Sequence, residues 1–188
     1  MVDLANKDEF LIDKKIVVAL SGGIDSVVLL HFLNKHYPGK VRAIHINHNL
    51  SDYCHQWQSF CKNLCQNADI NFKSIDIFIE NVSNVEKIAR EKRYLSLTSE
   101  LKADEILCTG HHQDDQAETL LLQLFRGSGV AGLSAMPKNK TIHDSQLYRP
   151  LLTISRQQIT DYAIENHLDW VEDDSNKNIN FRRNLLRL

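Results

Sequence analysis

Apolar residues in this chain gather into short continuous runs separated by longer mixed stretches. Four runs read as strands, at residues 16–20, 41–46, 72–76 and 105–109. Each is short, apolar and followed by polar or turn residues, as suits parallel strands covered on both faces. The stretches between them read as helices over 26–36, 51–68 and 84–101. Pro38-Gly39 closes the first helix, and Ser83-Asn84-Val85-Glu86 has the form of a capping box opening the third. A leucine-rich helix follows over 113–125 and ends at Gly127-Ser128-Gly129. Residues 129–148 look like loop, and Ser155-Arg156-Gln157-Gln158 caps a last helix running to 166.

This alternation predicts an α/β fold with a Rossmann-like parallel sheet of about five strands flanked by helices. The 188 residues fit one domain, spanning 1–188, without repeats or low-complexity segments. The last eight residues, from Phe181 to Leu188, read as the opening of a helix without a stop signal. The expectation is a catalytic domain cut from a longer protein.

Composition narrows the class. Hydrophobic residues make up 43% and charged ones 24%, ordinary for a soluble globular protein. The first residues contain no apolar signal core, and no run is long enough to span a membrane. Cys54, Cys61, Cys65 and Cys108 lack C-x-x-C spacing and read as free thiols of a cytoplasmic protein. A net charge of −2 announces no global attraction to nucleic acid, so any RNA contact must be local.

The chemistry concentrates beyond three strand ends. Ser21-Gly22-Gly23-Ile24-Asp25-Ser26 lies between the first strand and first helix. A helix N-terminus offers unpartnered N–H groups and the positive end of the dipole to an anion. Glycine lets phosphate approach the main chain, and Ser21 and Ser26 can add hydroxyl donors. Asp25 suits an anion site only if a divalent cation is held there too, and Mg²⁺ commonly accompanies a nucleotide. The hexamer is neither the Walker loop nor the dinucleotide fingerprint. It matches S-G-G-x-D-S, the loop of enzymes that cleave ATP between the α and β phosphates.

His45 and Ile46 open the segment after the second strand, where backbone groups can meet adenine; His45 and His48 could instead bind metal. In Thr109-Gly110-His111-His112-Gln113-Asp114-Asp115-Gln116-Ala117-Glu118-Thr119, His111, Asp115 and Glu118 share a helix face if the helix begins early enough. That set could hold an ammonium group, bind a metal or move a proton, or be a solvated helix start. Glu86, Arg90 and Arg93 have the same spacing, giving either a surface ion pair or an arginine face for phosphate or RNA. Arg183 and Arg187 would face one way on the terminal helix, and Arg149-Pro150-Leu151 is by itself an uninformative junction.

Taken in order, these segments resemble the tRNA(Ile)-lysidine synthase family. The resemblance rests on the Ser21–Ser26 loop, His45-Ile46-Asn47-His48-Asn49-Leu50, Glu86-x-x-Ala89-Arg90-x-x-Arg93-Tyr94 and the Thr109–Thr119 stretch. It also includes Arg126-Gly127-Ser128-Gly129, Arg149-Pro150-Leu151, and Ser175-Asn176 with Arg183-Asn184-x-x-Arg187. It implies an adenine nucleotide alpha hydrolase-like fold, with ATP and Mg²⁺ as cofactors. It also implies adenylation of the wobble cytidine of tRNA(Ile) with a CAU anticodon, followed by attack of free L-lysine. ATP would lie on residues 21–26, His45 and Ile46, with Asp25 at the metal. His111, Asp115, Glu118 and Arg183 would act at the reacting centre. Asp114, Arg90, Arg93, Asn184 and Arg187 would contact substrate. Family members carry further domains that grip tRNA, which are absent from these residues. Oligomeric state stays open, a homodimer included.

Two other readings share the loop. A tRNA 2-thiolation enzyme would adenylate tRNA in the same way but use paired cysteines or an iron–sulfur cluster. A non-catalytic ATP-sensing module would bind the nucleotide and has no need of the acidic segment.

Overall fold

A computed structural model describes residues 8–49, 51, 53–78, 85–125, 127 and 134–172, the first three residues of the 85–125 stretch by backbone alone. Six strands form one sheet: β1 (Lys15–Ala19), β2 (Val41–Asn47), β3 (Asn71–Asp76), β4 (Glu105–Cys108), β5 (Asn139–Ile142) and β6 (Ser145–Tyr148). The helices are α1 (Ile24–His36), α2 (Cys54–Asn67), α3 (Val85–Ser99), α4 (Gln113–Phe125) and α5 (Arg156–Glu165). The strand order is β3-β2-β1-β4-β6-β5, parallel except for the β5–β6 pair.

The continuous apolar runs are explained by cover on both faces. Ile16 and Val18 of β1 point into a core shared with α1, α2 and α5, while Val17 points into a second core with Tyr94 and Leu97 of α3. Ile106 and Cys108 of β4 join the first core and Leu107 the second. Period-two packing therefore needs apolar residues at every position.

The sheet differs from the expected five strands because residues 139–148 form a hairpin rather than loop. Asn139–Ile142 is polar and exposed, so no alternation marks it. Its two-residue turn uses His143 (φ 46°) and Asp144 (φ 62°) where Asn-Gly or Asp-Gly would have been the legible signal. The Ser155 capping box is present, with Gln158 N–H donating to Ser155 Oγ at 3.2 Å. Gly127 follows α4 with φ 68°, and its N–H donates to the Leu124 carbonyl. The capping box at Ser83, the motif around Arg126, and Ser175 through Arg187 lie outside the described residues.

The order of strands fixes where a ligand can bind. From β1 the chain builds outward through β2 and β3, then returns to the other side of β1 as β4. In open α/β sheets ligands bind at such a reversal, beyond the strand carboxyl ends, where the loops leaving β1 and β4 lie.

Candidate functional site

The loop after β1 is held together by Ser26. Its Oγ accepts from the Ser21 and Gly22 N–H groups, both at 3.2 Å, and donates to the Gly23 carbonyl at 2.9 Å. Ser26 is buried, so its hydroxyl organises the loop, while Ser21 stays exposed at the rim. Gly23 is the N-cap of α1 and supplies no side-chain cap; its carbonyl takes the Ser26 N–H at 3.0 Å, and the positive end of the helix dipole favours an anion at this turn. Gly22 requires its φ of +93°, and a Cβ there would lie 2.8 Å from Val171 Cγ2. Val171 N–H donates to the Gly22 carbonyl at 3.0 Å, so residues beyond α5 brace the loop.

β2 outlasts its pairing with β1, whose last matched pair is Ala19↔Ile44. Leu20 N–H donates to the Ile44 carbonyl, and the ladder's alternation turns the Ile46 backbone groups to this same side, above the loop. Buried His45 donates from Nδ1 to the Leu20 carbonyl at 2.8 Å, and burial holds its pKa below the usual imidazole value. His45 is thus a neutral structural group. No cluster of three His, Cys, Asp or Glu that could hold a metal occurs among the described residues.

The turn after β4 presses against the start of α1. A Cβ on Gly110 would lie 3.0 Å from the backbone carbon and oxygen of Asp25, so a side chain there would push the two segments apart by a few tenths of an ångström. Next comes His112, 1% exposed. Its Nδ1 accepts from Asp114 N–H at 3.3 Å, which places the proton on Nε2. Nε2 lies 3.8 Å from Asp25 Oδ1 and 3.5 Å from Asp115 Oδ2, and His112 N–H donates to Asp115 Oδ2 at 3.0 Å. The phosphate loop and the acidic helix therefore meet on one imidazole. Nothing in the spacing separates the duty of His112 from that of His111, because that difference depends on where α4 starts.

α4 begins at Gln113, so His111 is not on its face but in the preceding turn. The charge of Asp115 still bears on it. His111 Nδ1 pairs with Thr109 Oγ1 at 2.8 Å. Burial pushes its pKa down, and Arg149, Arg90 and Arg93 push the same way while Asp115 opposes them. Asp115 and Glu118 are buried one helical turn apart, and Asp114 is half-buried beside them. Gln116 grips the chain leading to β5, donating to the Met136 carbonyl at 2.8 Å and accepting Met136 N–H at 2.7 Å.

Arg90 and Arg93 flank Tyr94 of α3, with guanidinium carbons 5.2 and 5.3 Å from the ring centre. The side chain of Glu86 lies outside the described set. Arg149 entered the sequence reading only through the Arg149-Pro150-Leu151 motif, with no role of its own. It is 3% exposed, donates to the Pro137 carbonyl at 2.6 Å, and burial lowers its pKa. Its position at the end of β6 became visible only with the hairpin. Arg183, Asn184 and Arg187 lie outside the described residues. The arrangement gathers a glycine-containing helix start, two buried carboxylates and a neutral imidazole beyond β1 and β4, within electrostatic reach of three arginines.

A model of the PP-loop domain family matches residues 3–188. The chain is 45% identical over 178 residues to a tRNA(Ile)-lysidine synthase of Hydrogenovibrio crunogenus, covering 91% of this chain and 42% of that protein. To the tRNA(Ile)-lysidine synthase of Coxiella burnetii it is 43% identical over 175 residues, covering 90% and 39%. It thus spans about two-fifths of the length of these curated relatives. In structure it is similar to the U34-tRNA thiolase of Methanococcus maripaludis with its [4Fe-4S] cluster. The TM-score is 0.69 at 20% identity, over 88% of this chain and 62% of that one, a likeness of fold alone.

Proposed function

The chain belongs to the PP-loop domain family, and from that premise we propose that it is the catalytic part of a ligase that makes lysidine. The substrates are ATP, free L-lysine and tRNA(Ile) with a CAU anticodon; the setting is the cytoplasm. The observation that carries this reading is the junction at His112. It sets an anion cradle and a buried acidic pocket at the same sheet reversal, as adenylation followed by amine transfer requires. The names of the similar relatives support the choice of tRNA and lysidine.

The first-turn N–H groups of α1 bind phosphate oxygens, and the Ile46 backbone meets the adenine edge. Asp25 presents an oxygen donor beside His112 that fits Mg²⁺ held by a carboxylate plus substrate phosphates. When bound, the ion offsets negative charge on departing pyrophosphate. Asp115 and Glu118 attract the lysine ammonium, and Asp114 lies at the rim of the same pocket. The amine must lose a proton before its nitrogen can attack C2 of the adenylated cytidine. The C–N bond forms as the bond from C2 to the AMP oxygen breaks. His111, kept neutral by burial, would accept a hydrogen bond there. Arg90 and Arg93 approach the RNA. Arg183, Asn184 and Arg187 are assigned to phosphate or base from their motif alone.

The thiolase alternative needs accessible thiolate. Burial instead pushes Cys61 and Cys65 up to about 12 and raises Cys108 as well. Cys61 packs behind the phosphate loop, with Sγ 3.2 Å from where a Gly22 Cβ would stand. An ATP sensor would not need the buried carboxylates. The deciding experiment follows AMP and pyrophosphate release by the full-length protein, with and without tRNA(Ile) transcript and lysine. Pyrophosphate release that needs tRNA, and AMP release that also needs lysine, is the expected outcome. Release that ignores lysine but answers to a sulfur donor would replace the reading with thiolation, and ATP binding without cleavage would replace it with sensing.

A further inference from the structure

An open groove of about 460 Å³ runs between α3 and the β5–β6 hairpin. Arg90, Glu91 and Tyr94 form one wall; Lys140, Thr141 and His143 line the other. The hairpin wall has no part in the chemistry described above. Its Ile142 packs into the core that contains Tyr94 and Leu97, which sets this edge of the sheet against α3. Lys140 is exposed on β5, and His143 is exposed in the hairpin turn.

The groove is open and has a cation on each wall, unlike the enclosed apolar pockets that bury small molecules. Arg90 rests on the Tyr94 ring, which limits the conformational freedom lost when its planar fork meets phosphate. Arg90 also stands within electrostatic reach of both His111 and Arg149. A strand lying in the groove would therefore deliver its next nucleotide to His111. Glu91 is the acidic lining residue and is exposed at the rim.

We infer that this groove holds the sugar–phosphate backbone of the RNA substrate beside the nucleotide being modified, with Arg90, Lys140 and His143 meeting phosphate. The inference rests on the tRNA reading above. It assigns a role to Lys140 and His143, in a segment whose sequence reads only as loop.

The test uses the full-length protein and measures tRNA(Ile) binding across a salt series. Lys140→Ala, Lys140→Glu and the Lys140→Ala/His143→Ala pair alter exposed side chains, so folding is kept. Affinity is expected to fall several-fold for Lys140→Ala and further for Lys140→Glu. The slope of log affinity against log salt should become shallower by about 0.7 for each phosphate that is no longer neutralised. ATP affinity should not change. Lys35→Ala, an exposed charge in the last turn of α1, should leave the slope as it is. Wild-type slope and affinity in all the Lys140 variants would overturn the groove while leaving the tRNA reading intact. A wild-type protein that binds no tRNA would overturn both.

Discussion

The loops after β1 and β4 are neighbours at the same edge of the sheet, and each opens a helix through a glycine. They are finished in opposite ways. Residues 21–26 make their site from main chain, tied by one buried hydroxyl. Residues 109–118 make theirs from side chains: burial, Arg149, Arg90 and Arg93 keep His111 neutral, and Asp25 of α1 lies beside His112. The first needs only local conformation; the second exists only once distant elements are packed. A change in the first should therefore act through geometry, and a change in the second through charge.

The sharpest test of that contrast is Asp115→Asn, which removes a charge at nearly constant volume. Lysine-dependent AMP release should fall on the order of 10²–10⁴-fold, with ATP affinity retained in equilibrium binding. Loss of ATP binding instead would show that Asp115 serves the cradle and not the amine.

In the phosphate loop, two adjacent glycines should separate fold from function. Gly22→Ala meets Val171 and imposes a side chain at φ +93°. Its cost is about 1–2 kcal/mol for the backbone and about 1–3 kcal/mol for crowding, read as a lowered Tm. At Gly23, only Ser21 Oγ at 3.6 Å stands near an added Cβ. Gly23→Ala should keep its Tm yet bind ATP more weakly, because the methyl occupies the phosphate approach. Equal effects on Tm at both positions would contradict the proposed cradle.

His112 joins the two loops, so its variants probe the seam. Asn can imitate the Nδ1 acceptor facing Asp114 N–H, whereas Gln can imitate the Nε2 donor facing the two carboxylates. If the bridge matters, His112→Gln should retain more turnover than His112→Asn at similar Tm. The reverse order would mean that the local Asp114 contact is what counts.

The smallest expected effect is on stability against pH. Burial lowers the pKa of His31, His45 and His111 in the folded state below the ordinary value of 6.5. The unfolded chain then binds more protons as pH drops below that value, so stability declines on acidification from about pH 7 toward 5. Each unit of lowering is worth about 1.4 kcal/mol once pH is below both values. His45→Gln should flatten the decline in denaturant titrations; an unaltered slope would show that His45 does not contribute to it.

The legibility of this molecule follows the same division. β1, β2 and β4 were readable because burial on both faces demands unbroken apolar runs, and the α5 cap because Ser155 and Gln158 carry it locally; β3 is a half-exposed edge strand that Phe72 and Ile75 mark only weakly. The 21–26 loop was readable because strand, glycines and helix start are contiguous. The β5–β6 hairpin was not, since an exposed edge strand has no apolar face and its turn lacks glycine. Arg149 looked ordinary because nothing near it in sequence says that it is buried beside Arg90.

By itself, then, the sequence determined the α/β class, the anion cradle and the presence of carboxylates and histidines beyond β4, since each depends on residues within one or two turns of one another. Tertiary structure decided that His111 precedes α4, that His112 faces both Asp25 and Asp115, and that the hairpin stands across a groove from Arg90. The contact of His112 with Asp25 joins residues 87 positions apart and the groove joins residues about 50 apart, and only the strand order β3-β2-β1-β4-β6-β5 brings them together. Pairing order is a global minimum over contacts between distant segments, which local propensity and periodicity do not encode.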